Sequence, residues 1–226
     1  MITSAHHMHT QAVEDYLKRL LIEQQHIGTS LVPTGRLATA LGVTPGTATA
    51  MVKSLAKQGL VEHQSRRGVR LTQEGERHAL NVLRRHRIIE LFLVKVLGMN
   101  WADVHHEAEL MEHSVSDAVL AQMDAMLGSP THDPHGDPIP DACGNMSIQD
   151  HPSLVSVDPK VTSTIERISD ENPEFLQLIG QHGLHPGSNV TIIARNEASQ
   201  NLILETNAGQ HTLSFVDASK ILVSVA

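Results

Sequence analysis

The stretch His105-His106-Glu107-Ala108-Glu109-Leu110-Met111-Glu112-His113 gathers side chains able to coordinate a cation. Read as a helix, it places positions i, i+4, i+7 and i+8 on one face. His105, Glu109, Glu112 and His113 occupy that series, while Ala108, Leu110 and Met111 face elsewhere. A preceding helix adds His86 and Glu90, again four residues apart. Carboxylates crowded on an interior face repel one another and resist desolvation, and a divalent cation removes both costs. A single His/Glu pair at this spacing usually faces solvent as an ion pair, but six such residues on two adjacent helices argue for a metal. A zinc-protease helix is excluded, because His106-Glu107 is followed by Leu110 where that chemistry needs a second His.

Several elements must position these groups. Val13, Leu17, Leu20 and Leu21 recur at helical spacing from Thr10 to about Gln25, and Gly28 ends that helix. Pro33-Thr34 opens a short helix that stops at Gly42, and Thr44 caps a third with Pro45 in its first turn. Two short helices about a Gly42-Val43 turn have helix-turn-helix spacing. Leu60–His63 and Val69–Leu71 then read as a two-stranded wing with Arg66 and Arg67 at its tip. A long helix follows from Thr72 to about Leu97, then helices near Trp101–Ser114 and Ser116–Leu127. Residues 128–152, rich in Pro, Gly, Asp and His, mark a boundary. Beyond it, residues 190–193, 201–204 and 221–225 are strand-like, and a short helix lies near Phe175–Gln181, which suggests a small β-barrel.

In a winged helix the second helix of the helix-turn-helix enters the major groove. Its exposed face would carry Thr44, Pro45, Gly46, Thr47, Thr49, Ala50 and Lys53, with Arg66 and Arg67 against the backbone or minor groove. Hydroxyls and Lys53 suit phosphates and thymine methyls, and no Arg, Asn or Gln is placed for a bidentate base contact. Specificity would therefore be shared with DNA shape and dimer spacing.

Charge divides the same way. The net charge is -8, yet residues 1–100 hold 13 Lys and Arg against 7 Asp and Glu, leaving 4 against 18 in the rest. A basic half faces phosphates and an acidic half faces cations. Only 2% of residues are aromatic, so aliphatic side chains must build the cores. The lone Cys143 rules out an internal disulfide, no signal peptide is visible, and no apolar run spans a membrane. A cytoplasmic location is the expectation.

The region from Asp15 to Leu127 resembles the diphtheria-toxin-repressor/manganese-transport-regulator family of metal-dependent repressors. The likeness runs through Val13-Glu14-Asp15-Tyr16-Leu17, the winged helix, Arg85-His86-Arg87-Ile88-Ile89-Glu90 and the His105–His113 segment. His135-Gly136-Asp137-Pro138-Ile139-Pro140 looks like the family's linker motif, and the C-terminal part is similar to the SH3-like, FeoA-type domain of the longer members. The resemblance implies a mainly α fold with a β C-terminal domain. It divides the chain into a winged helix-turn-helix (1–74), a helical metal-binding and dimerisation domain (75–140), a linker (141–152) and an SH3-like barrel (153–226).

The same resemblance implies that Asp15, Glu109, Glu112 and His113 form the primary, activating metal site, and that His86, Glu90 and His105 form a second. Glu171, Glu174, His135 and Asp133 are its candidate additional ligands. Carboxylates stand at positions 15 and 109, where iron-sensing members carry sulfur, and hard oxygen ligands suit Mn(II), with Fe(II) the alternative. Lys18 replaces an acid with which some manganese regulators bridge two ions, so two separate sites are implied. His6, His7 and His9 read as a terminal cluster rather than ligands. The implied function is a homodimeric repressor of metal-homeostasis genes on a palindromic DNA operator, off the membrane and without catalysis. The rival readings are a carboxylate-rich metalloenzyme and a winged-helix regulator with an organic effector.

Overall fold

The computed structural model describes residues 9–28 and 31–225, so His6 and His7 lie outside the described residues. The chain divides into two compact units, Met1–Arg85 with Ala142–Gly144, and His86–Asp141 with Asn145–Ala226.

In the first unit, α1 (Gln11–Ile27) buries Val13, Leu17, Leu20 and Leu21, the stripe its periodicity foretells, and ends where Gly28 turns left-handed at φ 61°. α2 (Thr34–Ala40) and α3 (Pro45–Lys57) form the helix-turn-helix. The Thr44 hydroxyl accepts from the Thr47 amide at 3.2 Å and so caps α3, whose Ala48, Val52 and Leu55 are buried. Glu23 is buried on α1 and ion-paired with Arg19 (3.3 Å) and Arg36, which ties α1 to α2. β1 (Val61–Gln64) and β2 (Gly68–Leu71) pair antiparallel from Val61 opposite Leu71 to Gln64 opposite Gly68, giving the wing. Arg66 adopts φ 64° at its tip. His9 meets the His78 ring edge-on at 4.5 Å.

α4 (Gln73–Lys95) begins where the Thr72 hydroxyl accepts from the Gly75 amide (3.1 Å), and the division between the units falls within it. In the second unit, α5 (Val104–Glu112) starts three residues later than the sequence suggests. Residues 101–103 form a turn in which the Asn100 side-chain oxygen accepts from the Ala102 amide (3.1 Å). His113 accordingly caps α5 rather than lying within it. α6 (Asp117–Met126) follows its Ser116 cap. Ile88, Ile89, Leu93, Val104, Ala108, Leu120, Met123 and Ile139 make a continuous apolar core under these helices.

A second core in this unit underlies a five-stranded antiparallel sheet, order β6-β5-β4-β3-β7. Its elements are β3 (Thr162–Ile168), α7 (Pro173–Gln181), β4 (Asn189–Asn196), β5 (Asn201–Thr206), β6 (Gly209–Ser214), α8 (Phe215–Ala218) and β7 (Ile221–Val225). β3 and β6 are strands that the apolar pattern had not disclosed. Register shifts at Ile165/Arg167 and Ile192/Ala194 bend the sheet.

Candidate metal centre

α4 and α5 supply the heart of the site, and the four-residue spacings do what a helix face requires. His86 and Glu90 lie one turn apart on α4, with His86 Nε2 3.0 Å from Glu90 Oε1. His105 on α5 brings Nδ1 to 3.2 Å from the same oxygen and 3.1 Å from His86 Nε2. His86 and Glu90 are buried and His105 is partly buried, and the three offer ligand atoms within 4.8 Å of one another.

The opposite edge of His86 reaches the second acid group. Its Nδ1 lies 2.6 Å from Glu112 Oε2, and the other Glu112 oxygen is 3.2 Å from His113 Nε2. Glu112 is only 1% exposed, so its charge cannot be left to water. Glu109, on the outer face of α5, is 3.6 Å from His105 Nε2. Asp15 is half-buried on α1 in the first unit.

Of the additional ligand candidates, Glu171 stands before α7 with its carboxylate 3.5 Å from His105 Nε2. Glu174 lies exposed in the first turn of α7. Asp133 and His135 are buried beside Glu90, with ligand atoms within 4.8 Å of it and of each other.

The electrostatics follow from burial. Desolvation pushes the Glu90 carboxyl up, but the imidazoles of His86, His105 and His135 outweigh it and hold the group well below the usual carboxylate range. Burial drives Asp133 the other way, well above its ordinary value, reinforced by Asp137 and Glu90. Three imidazoles around one carboxylate form a nitrogen and oxygen donor set without sulfur, which a borderline or hard divalent ion fits. The residues present therefore fit a metal ion. Bound there, it would supply the positive charge these buried acids lack, with His86, Glu90 and His105 holding it.

Sequence reasoning missed how the 133–137 loop is held. Asp133 Oδ1 accepts from the amides of His135 (2.8 Å) and Asp137 (2.9 Å). Asp137 pairs with Arg87 (3.2 Å) and Arg167 (2.6 Å), and Arg87 also donates to the Pro138 carbonyl. The Pro- and Gly-rich HGDPIP run was the available signal; its partners lie far along the chain.

The expected DNA-contacting groups are arrayed as a surface. Thr44, Pro45, Gly46, Thr47 and Lys53 on α3 are exposed, as are Arg66 and Arg67 on the wing, while Thr49 is partly covered. The Thr49 hydroxyl donates to the Pro45 carbonyl (2.7 Å), which commits its proton and leaves the oxygen only as an acceptor.

Comparison with known proteins agrees with this architecture. Residues 8–69 match the iron-dependent repressor N-terminal DNA-binding domain, residues 72–141 the iron-dependent repressor metal-binding and dimerisation domain, and residues 153–225 the FeoA domain. The chain is 36% identical over 105 residues to the iron-dependent repressor IdeR of Mycobacterium tuberculosis (strain ATCC 25618 / H37Rv), 46% of this chain and 46% of that protein. The match thus spans about half the length of that relative. It is 32% identical to the HTH-type transcriptional regulator MntR of Geobacillus thermodenitrificans (strain NG80-2), over 48% of this chain and 75% of that one. A solved manganese-dependent transcriptional repressor in complex with manganese superposes with a TM-score of 0.85 at 37% identity, covering 95% of this chain and 100% of that one. By name these relatives are an iron-dependent repressor, a transcriptional regulator and a manganese-dependent transcriptional repressor, and the family is one of transcriptional repressors rather than enzymes, so the metalloenzyme reading falls. The chain belongs to the iron-dependent repressor family, the diphtheria-toxin-repressor and manganese-regulator lineage, in its form with a FeoA domain.

Proposed function

We propose that this chain is a manganese(II)-activated repressor that acts as a homodimer on a palindromic operator in the cytoplasm and controls metal-homeostasis genes. The observation that carries the reading is the buried His86–Glu90–His105 group, joined through His86 to Glu112, with nitrogen and oxygen donors throughout. Mn(II) is at the weak end of the divalent affinity series, so geometry and hard ligands must select it. Iron(II) is the alternative that the same donor set accommodates.

In this proposal the family's ligand pattern assigns Asp15 to one ion with Glu109, Glu112 and His113. His86, Glu90, His105 and Glu171 hold a second, with Glu174, His135 and Asp133 as its further candidate ligands. An ion whose ligands come from both the DNA-binding and the dimerisation domains couples metal affinity to DNA affinity, by ~1–3 kcal/mol in typical allosteric systems. Thr44, Pro45, Gly46, Thr47, Thr49 and Lys53 face the major groove, and Arg66 and Arg67 face phosphates. Dimerisation is supported by apolar side chains left exposed on the matched segment, among them Leu110 (59%) and Met126 (66%). Among the described residues no helix is long and apolar enough to cross a membrane.

The test is operator binding by fluorescence anisotropy against a panel of divalent ions, with iron handled anaerobically. Wild type should bind at least tenfold tighter with Mn(II) than without metal. Glu112→Ala should lose that gain while keeping its helical circular dichroism. Metal-independent binding by wild type, or a full Mn(II) response in Glu112→Ala, would overturn the proposal.

A further inference from the structure

The apolar core beneath the five-stranded sheet is not built from its own domain alone. Among the described residues, Ala102 of the helical domain is a buried member of that core, 1% exposed, and Trp101 packs against it. Every other buried member comes from residues 154–223. Trp101 and Ala102 lie in the turn that leads into α5 and so to His105.

The indole has a ring for each neighbour, His185 at 4.7 Å and His135 at 5.4 Å between centroids. It also lies against Gly180 in the last turn of α7. A Cβ built there would stand 3.2 Å from Trp101 Nε1 and 3.3 Å from His185 Cε1. The backbone at Gly180 is ordinary helix, so close approach and not conformation calls for the glycine. Beside this contact Gln177 Nε2 donates to Asp103 Oδ1 at 3.3 Å. α7 is seated in the core through Phe175, Leu176 and Ile179, so the helix moves with its domain. Glu171 stands just before α7, and its carboxylate lies 3.5 Å from His105 Nε2. Among the described residues that carboxylate makes no other ion pair, so its aim is set by where α7 lies.

We propose that Trp101 and Gly180 are positioning residues for the second metal ion: the seat of the indole against α7 sets the reach of Glu171 to His105, and with it the affinity of that site. The proposal rests on the reading of His86, Glu90, His105 and Glu171 as a metal site. Neither Trp101 nor Gly180 is a ligand; both act through Glu171. Other ties between the two domains, from the Ile168 amide to the His135 carbonyl (2.8 Å) and from Arg167 to Asp137 (2.6 Å), run through the 133–137 loop and not through the approach to α5. A ligand has to be held within about 0.5 Å of its productive place. A leucine side chain at Gly180 demands a larger displacement than that, because the indole already has a ring on either side.

The experiment titrates the full, metal-free chain with Mn(II) alone, and reads the free ion by electron paramagnetic resonance. Trp101 is the single tryptophan of the chain, so acrylamide quenching of its emission reports the docked contact directly. Gly180→Leu should raise that quenching and weaken one class of Mn(II) site about tenfold. It should be the same class that Glu171→Gln weakens, with the other class unchanged, and Trp101→Ala should repeat the loss. Gly180→Leu/Glu171→Gln should bind no more weakly than Glu171→Gln, because the glycine acts through that carboxylate. Gly180→Ala guards against misfolding: alanine favours a helix over glycine, so a threefold loss in the same class there comes from the wedge and not from unfolding. Wild-type isotherms in Gly180→Ala and Trp101→Ala overturn the proposal. So does raised quenching in Gly180→Leu with an unchanged isotherm, or a double variant that shows the full product of the two single losses. Failure of the underlying reading has its own outcome: Glu171→Gln would itself leave both classes as in wild type.

Discussion

Replacing Gly136 with Ala should loosen the second unit by an amount that the backbone geometry fixes. Gly136 adopts φ +86°, and a Cβ built there would stand 2.0 Å from the Glu166 carbonyl oxygen and 2.9 Å from the Arg167 Cα. Both neighbours are backbone of β3, so no flexible side chain can yield. An L-residue in the left-handed region costs ~1–2 kcal/mol, and overpacking against rigid structure adds ~1–3 kcal/mol. If the loop withdraws instead, it gives up the bond from the Ile168 amide to the His135 carbonyl, 2.8 Å long, at about 1 kcal/mol. By either route the total is roughly 2–5 kcal/mol, and at ~2–4 °C per kcal/mol for a unit of this size the melting temperature should fall by about 10 °C. Gly98→Ala is the internal control: its φ is +70°, but nothing lies within 4 Å of the added carbon. It should show the conformational cost alone, a shift of only a few degrees. Thermal melts of the metal-free protein followed by circular dichroism read both. A Gly136→Ala melt no lower than that of Gly98→Ala would refute the argument from close approach.

Two further outcomes follow from charge. The double variant Arg66→Ala/Arg67→Ala should weaken operator binding for all sequences alike and lower the slope of log affinity against log salt by up to about 2, measured by anisotropy across a salt series; an unchanged slope removes the wing from the interface. His182 and His211 stack at 4.2 Å, and burial first, then the neighbouring His211, lowers the His182 pKa in the folded chain. Acid therefore protonates the unfolded chain before the folded one. Stability should decline as pH drops from the ordinary histidine value towards the lowered one, and not above it. His182→Gln should flatten that decline in urea melts taken at stepped pH; an identical pH profile would sink it.

Much of this architecture is written locally. Thr44, three residues before Thr47, declares the start of α3, and the four-residue spacing of His86 and Glu90 declares one face of α4. Such signals survive because caps and helix faces depend on neighbours within a turn or two. β3 was hidden because its apolar residues, Ile165 and Ile168, are three apart across a register shift, which breaks the alternation a strand should show. β6 was hidden for another reason: it lies at an end of the ladder order and carries Gly, Gln, His and Thr, with only Leu213 buried. In the site, the approach of Glu171 to His105 depends on where the chain runs just before a helix of another domain. The grouping of Asp133 and His135 with Glu90 depends on a loop docked by Arg87 and Arg167, and no short-range spacing encodes that.

His86 joins Glu90 and Glu112 through opposite nitrogens of a single ring. A neutral imidazole has one proton to give, so when Nε2 surrenders its lone pair to a cation, Nδ1 must hold the proton and can serve Glu112 only as a donor. The two carboxylates are thereby read by one tautomeric choice. Substitutions on the Glu90 side and the Glu112 side should then combine non-additively, with the ring between them as the shared term.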